Sequence, residues 1–320
     1  MATKRAPGKE FRKGISQFIS EYPTDEAAEQ WFIRNRWPNG ICCPKCGSVN
    51  VQTGCKHAMP YRCREKACGR PRFSTKTGTV MEGSKLGYQD WLIAMFLLTT
   101  SLKSVSSMKL HRDLGITQKS AWFLAHRLRD AFSQNGGASF SGPVEVDETY
   151  MGGKRKNMPN SARKELTGRG SVGKTAVVGA KDRATNKVAA KVVESTDKET
   201  LQGFVKDHAE KGAKVYTDDA RAYESMPFDH ETVKHSLSEY VKGDVHTNGI
   251  ESLWSMVKRA HKGTFHKLSP KHLDRYVQEF AGRHNMREQD TAEQIATFRS
   301  GMDQKRLRYA DLIANTRMDY

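Results

Sequence analysis

The sequence lacks long apolar runs and has no cysteine outside one short segment. Its longest apolar run, Trp91 to Leu98, is far shorter than the roughly 18 residues that a membrane-spanning helix needs. Residues 1–14 carry charge without an apolar stretch behind them, so we do not expect a signal peptide. These absences exclude a membrane protein and predict a cytoplasmic one.

Acidic residues are also scarce relative to basic ones. The 320 residues include 53 Lys plus Arg but only 36 Asp plus Glu, which gives a formal net charge of +17. The excess of basic residues is concentrated in the N-terminal part of the chain, because residues 1–135 contain 22 basic and 10 acidic side chains. A cationic front predicts a polyanion partner, most simply nucleic acid, and hence a nucleoid-associated protein. The alternative is a solubilising surface.

All six cysteines lie between residues 42 and 68, and in a reducing compartment such a cluster indicates metal rather than disulfides. The segment CPKCG is typical of a zinc knuckle, and a second pair of cysteines follows. Four thiolates suit the tetrahedral preference of Zn²⁺ and predict a structural zinc ribbon. The predicted ligands are Cys43, Cys46, Cys63 and Cys68. Cys42 and Cys55 are spare and either can replace a ligand, with His57 as a weaker substitute.

Residues 104–132 fit a helix, a tight turn at Gly115 and a second helix for which Thr117 is a natural N-cap. The second helix has a buried face formed by Ala121, Leu124, Ala125, Leu128 and Phe132. Its exposed N-terminal end, where a recognition helix reads base edges, carries Gln118, Lys119 and Ser120. Arg112, Arg127 and Arg129 are candidates for phosphate contacts. A plain helical hairpin is the competing interpretation.

The hydrophobic period changes after a small-residue linker at residues 133–142. Three strand candidates precede an amphipathic helix ending at Gly212, and a fourth strand, a shorter strand at 233–241 and two helices follow. This order predicts an α/β layered domain, with a helix packed on the surface after about residue 290. The expected organisation is a helical segment 1–37, a zinc ribbon 38–84, a helix-turn-helix region 85–135, an α/β domain 136–290 and a C-terminal tail 291–320.

Three carboxylates stand out by their neighbours. Asp147 lies inside the strand pattern VEVDETY, where a carboxylate is costly unless it is paired or metal-bound. Asp218 follows the apolar strand KVYT, although the adjacent Asp219 leaves a one-residue ambiguity. Glu251 begins an amphipathic helix and shares one of its faces with Lys258. Two strand acids and a helix acid predict a site for two divalent cations, Mg²⁺ or Mn²⁺, acting on a phosphodiester.

The order of these features resembles a bacterial insertion-sequence transposase of the DDE superfamily. The similarity is to the branch with an N-terminal zinc ribbon, a helix-turn-helix and an RNase H-like catalytic domain. It covers about residues 25–290. The motifs that carry it are CPKCGS, FSTKTGTVMEGSKL, LGITQKSAWFLAHRLR, VEVDETYMGG, VYTDDARAY and the run from HTNGIESLW to FAGRHN.

The resemblance implies a role for each matching residue. Asp147, Asp218 and Glu251 correspond to the three catalytic acids, and the third is the acid that varies within the branch. Lys258 corresponds to a basic residue placed against DNA. His246 and Asn248 match a His-x-Asn with a supporting role at the DNA. The implied chemistry is cleavage of double-stranded DNA at the element ends, followed by transfer of the freed 3′-OH to target DNA. At least a dimer is then needed to hold two ends.

Other functions remain open at this level. GRGSVGKT at residues 168–175 satisfies a phosphate-binding loop pattern, but a strand rather than a helix is expected after it, so we favour a cationic loop. A non-catalytic DNA-binding regulator would show no metal dependence. An RNase H-like nuclease would cleave without joining, and an inactive transposase copy would do neither.

Overall fold

The structure is a computed structural model that describes residues 13–133, 139–153, 155–166, 171–233 and 246–314. Its helices are α1 (Ile15–Glu21), α2 (Asp25–Arg36), α3 (Tyr88–Thr100), α4 (Ser107–Leu114), α5 (Gln118–Phe132), α6 (Asn160–Glu165), α7 (Lys198–His208), α8 (Asn248–Ala260), α9 (Pro270–Asn285), α10 (Thr291–Ser300) and α11 (Tyr309–Ile313). Its strands are β1 (Val51–Gln52), β2 (Tyr61–Cys63), β3 (Arg72–Phe73), β4 (Val144–Met151), β5 (Thr175–Asp182), β6 (Val188–Val193), β7 (Lys214–Asp218) and β8 (Asp229–Val233). Within these ranges, no helix is long and apolar enough to cross a membrane.

The chain forms two compact units, which are divided after Phe132 and after Met286. The segment from residue 287, which includes the predicted tail at 291–320, belongs to the N-terminal unit. There α10 contacts α2, α3 and α5, and the ring of Phe298 lies 4.6 Å from that of Phe132. The backbone of Asp303 also bridges to that of Thr79. The N-terminal unit is therefore built from both ends of the described chain.

The helices of the N-terminal unit begin at identifiable caps. Thr24 accepts a hydrogen bond from the amide of Ala27 at 3.2 Å and starts α2. Helices α3 and α4 are separated at residues 101–106, and Ser106 caps α4 by accepting a hydrogen bond from the amide of Lys109.

The turn between α4 and α5 follows the prediction. Gly115 adopts a left-handed conformation with φ 64°, and the hydroxyl of Thr117 accepts from the amide of Ser120 at 3.1 Å. The predicted apolar face of α5 is confirmed, since all five of its residues are buried.

The second unit is a five-stranded sheet in the order β6-β5-β4-β7-β8. The strands β6, β5 and β4 are antiparallel, whereas β4, β7 and β8 run parallel. The helix α7 packs on one face through Leu201, Phe204 and Val205. The helices α8 and α9 cover the opposite face. This confirms the predicted α/β class and gives an RNase H-like mixed sheet flanked by helices.

Two predicted boundaries in this unit shift. Helix α7 ends at His208 rather than at Gly212, because the backbone that follows pairs with Phe140. The last strand lies at Asp229–Val233, before the predicted segment, whose residues 234–241 lie outside the described part of the chain.

Candidate active site and metal centres

The acidic site lies where β4 and β7 separate. These parallel strands pair at Val144 with Val215 and at Glu145 with Tyr216, so Asp147 and Asp218 each lie two residues beyond the last pair. One carboxylate oxygen from each of Asp147, Glu148 and Asp218 lies within 4.8 Å of the others. The arrangement places the acids at the carboxyl end of β7, which is the usual location of sites in α/β sheets.

Burial and mutual repulsion dominate the electrostatics of this cluster. Burial, with a further contribution from the charge of Asp218, raises the pKa of Asp147 to about 6. The same causes, burial and then the charges of Asp218 and Asp147, raise the pKa of Glu148 to about 8. Charged carboxylates are thus disfavoured here without a compensating cation.

Glu148 is a member of this cluster that the sequence analysis did not identify. Alternation along β4 places its side chain on the opposite sheet face from that of Asp147. There the hydroxyl of Tyr223 donates a hydrogen bond to Glu148. Asp147 and Glu148 are neighbours in the sequence, but consecutive side chains of a strand point to opposite faces of the sheet. The strand pattern therefore does not predict that both belong to one cluster.

Glu251, the predicted third acid, lies on helix α8 and is not among the acids whose carboxylate oxygens lie within 4.8 Å of one another. Its carboxylate accepts a hydrogen bond from the hydroxyl of Thr247 at 3.0 Å, and its charge contributes to the raised pKa of Asp147. Lys258 lies two turns further along α8 and is exposed. Asp219 is exposed and is not part of the acidic cluster.

Donor chemistry decides whether these residues suit a divalent cation. The cluster offers carboxylate oxygens, the ligands that Mg²⁺ and Mn²⁺ prefer. The half-buried acids repel one another, and a cation would remove that repulsion. The residues therefore fit a hard divalent cation, with Asp147 and Asp218 at the centre.

The four predicted cysteines also come together. The sulfurs of Cys43 and Cys68 are 3.8 Å apart, and those of Cys46 and Cys63 are 3.7 Å apart. A tetrahedral Zn²⁺ with Zn–S bonds of about 2.3 Å separates its sulfurs by about 3.8 Å. The group therefore fits zinc, and Cys42, Cys55 and His57 are not part of it.

The cysteine cluster sits against an aromatic core on the small sheet β1-β2-β3. The rings of Trp37, Tyr61 and Phe73 pack on one another with centroids 5.5–6.1 Å apart. Burial and the neighbouring thiols raise the pKa of Cys68 to about 12. A thiolate at this position therefore needs a bound cation.

The candidate DNA contacts His246 and Asn248, at and just before the start of α8, differ in their surroundings. Asn248 is exposed at the first position of the helix. His246, by contrast, points to Arg183, whose guanidinium nitrogen lies 2.8 Å from its Nδ1. The side chain of His246 is thus engaged by Arg183, although it remains partly exposed.

The recognition-helix candidates are placed at the N-terminus of α5. Gln118 and Lys119 are exposed and Ser120 is half-buried. The ammonium of Lys119 lies 4.6 Å from the ring centroid of Tyr309, which also packs edge-on against Phe123. Helix α11 therefore covers one side of α5 and leaves its first turn open to solvent.

Two of the three predicted phosphate contacts on this motif are wrong. Arg127 is buried and donates to the backbone carbonyls of Leu307 and Glu82. Arg129 is only 2% exposed. Both lie on the part of α5 that is enclosed by the unit, whereas Arg112 is exposed.

A basic surface surrounds the end of α8, the π-helical turn His261–Phe265 and the start of α9. We call it the α8–α9 basic surface; its exposed members are Lys258, Arg259, Lys262, His266, Lys267 and Lys271. The loop before β5, by contrast, leads into a strand at Thr175 and not into a helix. That context excludes the phosphate-loop interpretation of residues 168–175, of which 168–170 lie outside the described residues.

The fold and the acidic site together define an RNase H-like domain with a DDE-type carboxylate cluster, joined to a unit containing a four-cysteine site. Residues 139–285 match the ISXO2-like transposase domain, and residues 23–71 match the transposase zinc-ribbon domain. The chain is also 28% identical, over 300 residues, to an "uncharacterized protein in transposable element ISH50" of Halobacterium salinarum. That alignment covers 88% of this chain and 97% of the relative. The protein belongs to the insertion-sequence transposases that combine a zinc ribbon with a DDE domain.

Proposed function

We propose that this protein is the DNA transposase of an insertion sequence. It binds the element ends and catalyses metal-dependent phosphodiester cleavage and strand transfer into target DNA. The observation that carries the proposal is the convergence of Asp147, Glu148 and Asp218 in a domain that matches a transposase family.

We assign Asp147, Asp218 and Glu251 as the catalytic acids that hold Mg²⁺ or Mn²⁺. Two bound cations would activate the attacking oxygen and stabilise the leaving oxygen of a phosphodiester. Asp147 and Asp218 are held rigidly, because each projects from a central strand of the sheet. Glu251 stands on the first turn of α8, outside the group of three carboxylates, and would supply a further ligand from the helix.

Glu148 has a different role in this proposal. Its pKa of about 8 keeps it largely protonated near neutral pH in the metal-free protein. A neutral Glu148, held by the hydroxyl of Tyr223, adds no further negative charge beside Asp147 and Asp218. Cation binding lowers its pKa and makes a fourth carboxylate available.

DNA binding is assigned to three surfaces. Lys258 and the rest of the α8–α9 basic surface hold the DNA backbone beside the acids. In the N-terminal unit, Gln118 and Lys119, with Ser120 behind them, contact DNA from the open first turn of α5. Asn248 has a supporting role at the start of α8.

We assign Zn²⁺ to Cys43, Cys46, Cys63 and Cys68 as a structural ion. The ribbon strands β1, β2 and β3 have two or three residues each, too short to fold independently without a staple. Because strand transfer joins two element ends to one target, the active form contains at least two chains.

An in vitro joining assay tests this function. Purified protein is mixed with labelled DNA ends flanking its own gene, a plasmid target and Mg²⁺ or Mn²⁺. Asp147→Asn should abolish joined product, whereas Asp219→Asn, which changes the exposed acid next to Asp218, is the control and should retain it. Cleavage without joining would identify a nuclease. Metal-independent DNA binding with neither reaction would identify a regulator or an inactive copy.

A further inference from the structure

A buried carboxylate that the proposed chemistry does not use lies next to the acidic site. Glu145 is 1% exposed on β4, two residues before Asp147 and on the same face of the strand. Burying a carboxylate is costly unless it is paired and hydrogen-bonded. Its Oε1 accepts from Nε of Arg183 at 2.6 Å, and its Oε2 accepts from the amide of Ile250 at 3.0 Å. Both oxygens are therefore satisfied.

The contact with Ile250 fixes the beginning of α8. First-turn amides of a helix have no partner within the helix, and the side chain of Thr247 does not cap this one. Glu145 supplies the missing acceptor from a neighbouring strand, and its negative charge also suits the helix N-terminus. The approach requires Gly249, because a Cβ at that position would lie 2.5 Å from Oε2 of Glu145.

Arg183 extends the same contact to the segment that leads into α8. One of its guanidinium nitrogens donates to the carbonyl of His246 at 2.7 Å and lies 2.8 Å from Nδ1 of that residue. A guanidinium has only donors, so Nδ1 of His246 is the acceptor in this contact. The guanidinium also stacks on Tyr216 at 4.6 Å.

We propose that Glu145, Arg183 and His246 form a brace that positions Glu251 against Asp147. We call these three residues the α8 brace. Asp147 follows Glu145 by two residues on β4, and Glu251 directly follows Ile250 on α8. One buried carboxylate therefore connects the strand that carries the first acid to the helix that carries the third. His246 acts within the protein and not on DNA. This inference rests on the proposed function of the acidic site.

Metal affinity provides a test that does not depend on turnover. Residues that orient metal ligands typically change affinity by about 10–100-fold when they are mutated. Titration of the zinc-loaded full-length protein with Mn²⁺, followed by electron paramagnetic resonance, should show that His246→Ala and Arg183→Gln each weaken binding by about 10-fold or more. His246→Asn should stay within about 3-fold of wild type, because its amide oxygen preserves an acceptor for Arg183.

Two further measurements separate the alternatives. Binding of the element-end DNA without Mn²⁺ should be unchanged in His246→Ala; a loss there, with Mn²⁺ affinity intact, would restore His246 to the DNA interface and overturn the brace. Hydrogen exchange at the amide of Ile250 should accelerate in Arg183→Gln. Unchanged exchange would also overturn the brace.

Failure of the proposed function gives a different pattern. If wild type and Asp147→Asn bind Mn²⁺ equally weakly, the acidic site is not a metal site. The Ile250 amide then still reports whether the brace holds α8. Unchanged zinc content and thermal midpoint in each variant exclude general unfolding as the cause of a loss.

Discussion

Glu148→Gln should stabilise the metal-free protein, and the gain should increase with pH. The substitution keeps the shape of the side chain and an acceptor for the hydroxyl of Tyr223, but it removes the ionisable group. Wild-type Glu148 must either stay protonated or become charged beside Asp147 and Asp218. Glutamine stays neutral at every pH, so the variant never places a charge beside Asp147 and Asp218.

The size of the effect follows from the pKa. Glu148 has an ordinary value of 4.5 in the unfolded chain and about 8 in the folded protein. The folded protein therefore holds a proton that the unfolded chain releases, and folding stability falls as pH rises through this window. Integrated over the window, the advantage of the variant is about 1 kcal/mol at pH 5 and about 3 kcal/mol at pH 7.

Urea unfolding followed by circular dichroism measures this difference. Both proteins are studied zinc-loaded and without Mg²⁺ at several pH values between 5 and 8, and the free energy of unfolding is compared at each. Taking the difference cancels the titrating groups that do not interact with Glu148. Mg²⁺ should then stabilise wild type by about 2.7 kcal/mol at a hundred times its Kd.

A difference between the two proteins that does not change with pH would refute this reasoning. It would mean that Glu148 has an ordinary pKa and is not desolvated beside the other acids. A variant that becomes less stable than wild type as pH rises would show that the carboxylate is favoured in the metal-free site.

Three more predictions follow from other parts of the molecule. Cys63→Ser should lose bound zinc, measured by elemental analysis, while Cys55→Ser keeps it; equal zinc content would contradict the assigned ligands. If Lys262 contacts one phosphate, Lys262→Gln should make the slope of log K for DNA binding against log salt concentration shallower by about 0.9. The thermal midpoint should not change. Arg127→Leu should leave that slope unchanged but destabilise the protein by about 1–3 kcal/mol, because two backbone carbonyls lose their donor. An altered slope in Arg127→Leu would return that residue to the DNA interface.

Local patterns were enough to predict much of this protein. Spacing among the cysteines picked out the four that converge, because a zinc knuckle is a property of a few consecutive residues. The turn at Gly115 and the buried face of α5 followed from conformational preference and helical period. Asp147 and Asp218 stood out because each is a carboxylate in or after an apolar strand.

Contacts between distant segments were beyond those patterns. Arg127 has the sequence pattern of an exposed helical cation, but it is buried and donates a hydrogen bond to the carbonyl of Leu307, 180 residues later. Glu148 joins the acidic cluster because β4 and β7 separate just before it. His246 contacts Arg183, which directly follows β5 and is 63 residues earlier in the chain.

Ligand spacing, helix caps and hydrophobic periodicity are encoded by neighbouring residues, so the candidate ligands and helix boundaries could be predicted from the sequence. The surroundings of each side chain depend on how distant segments pack. A charged side chain is a surface contact or a buried brace according to the strands and helices that pack around it, and that packing depends on residues far away in the chain.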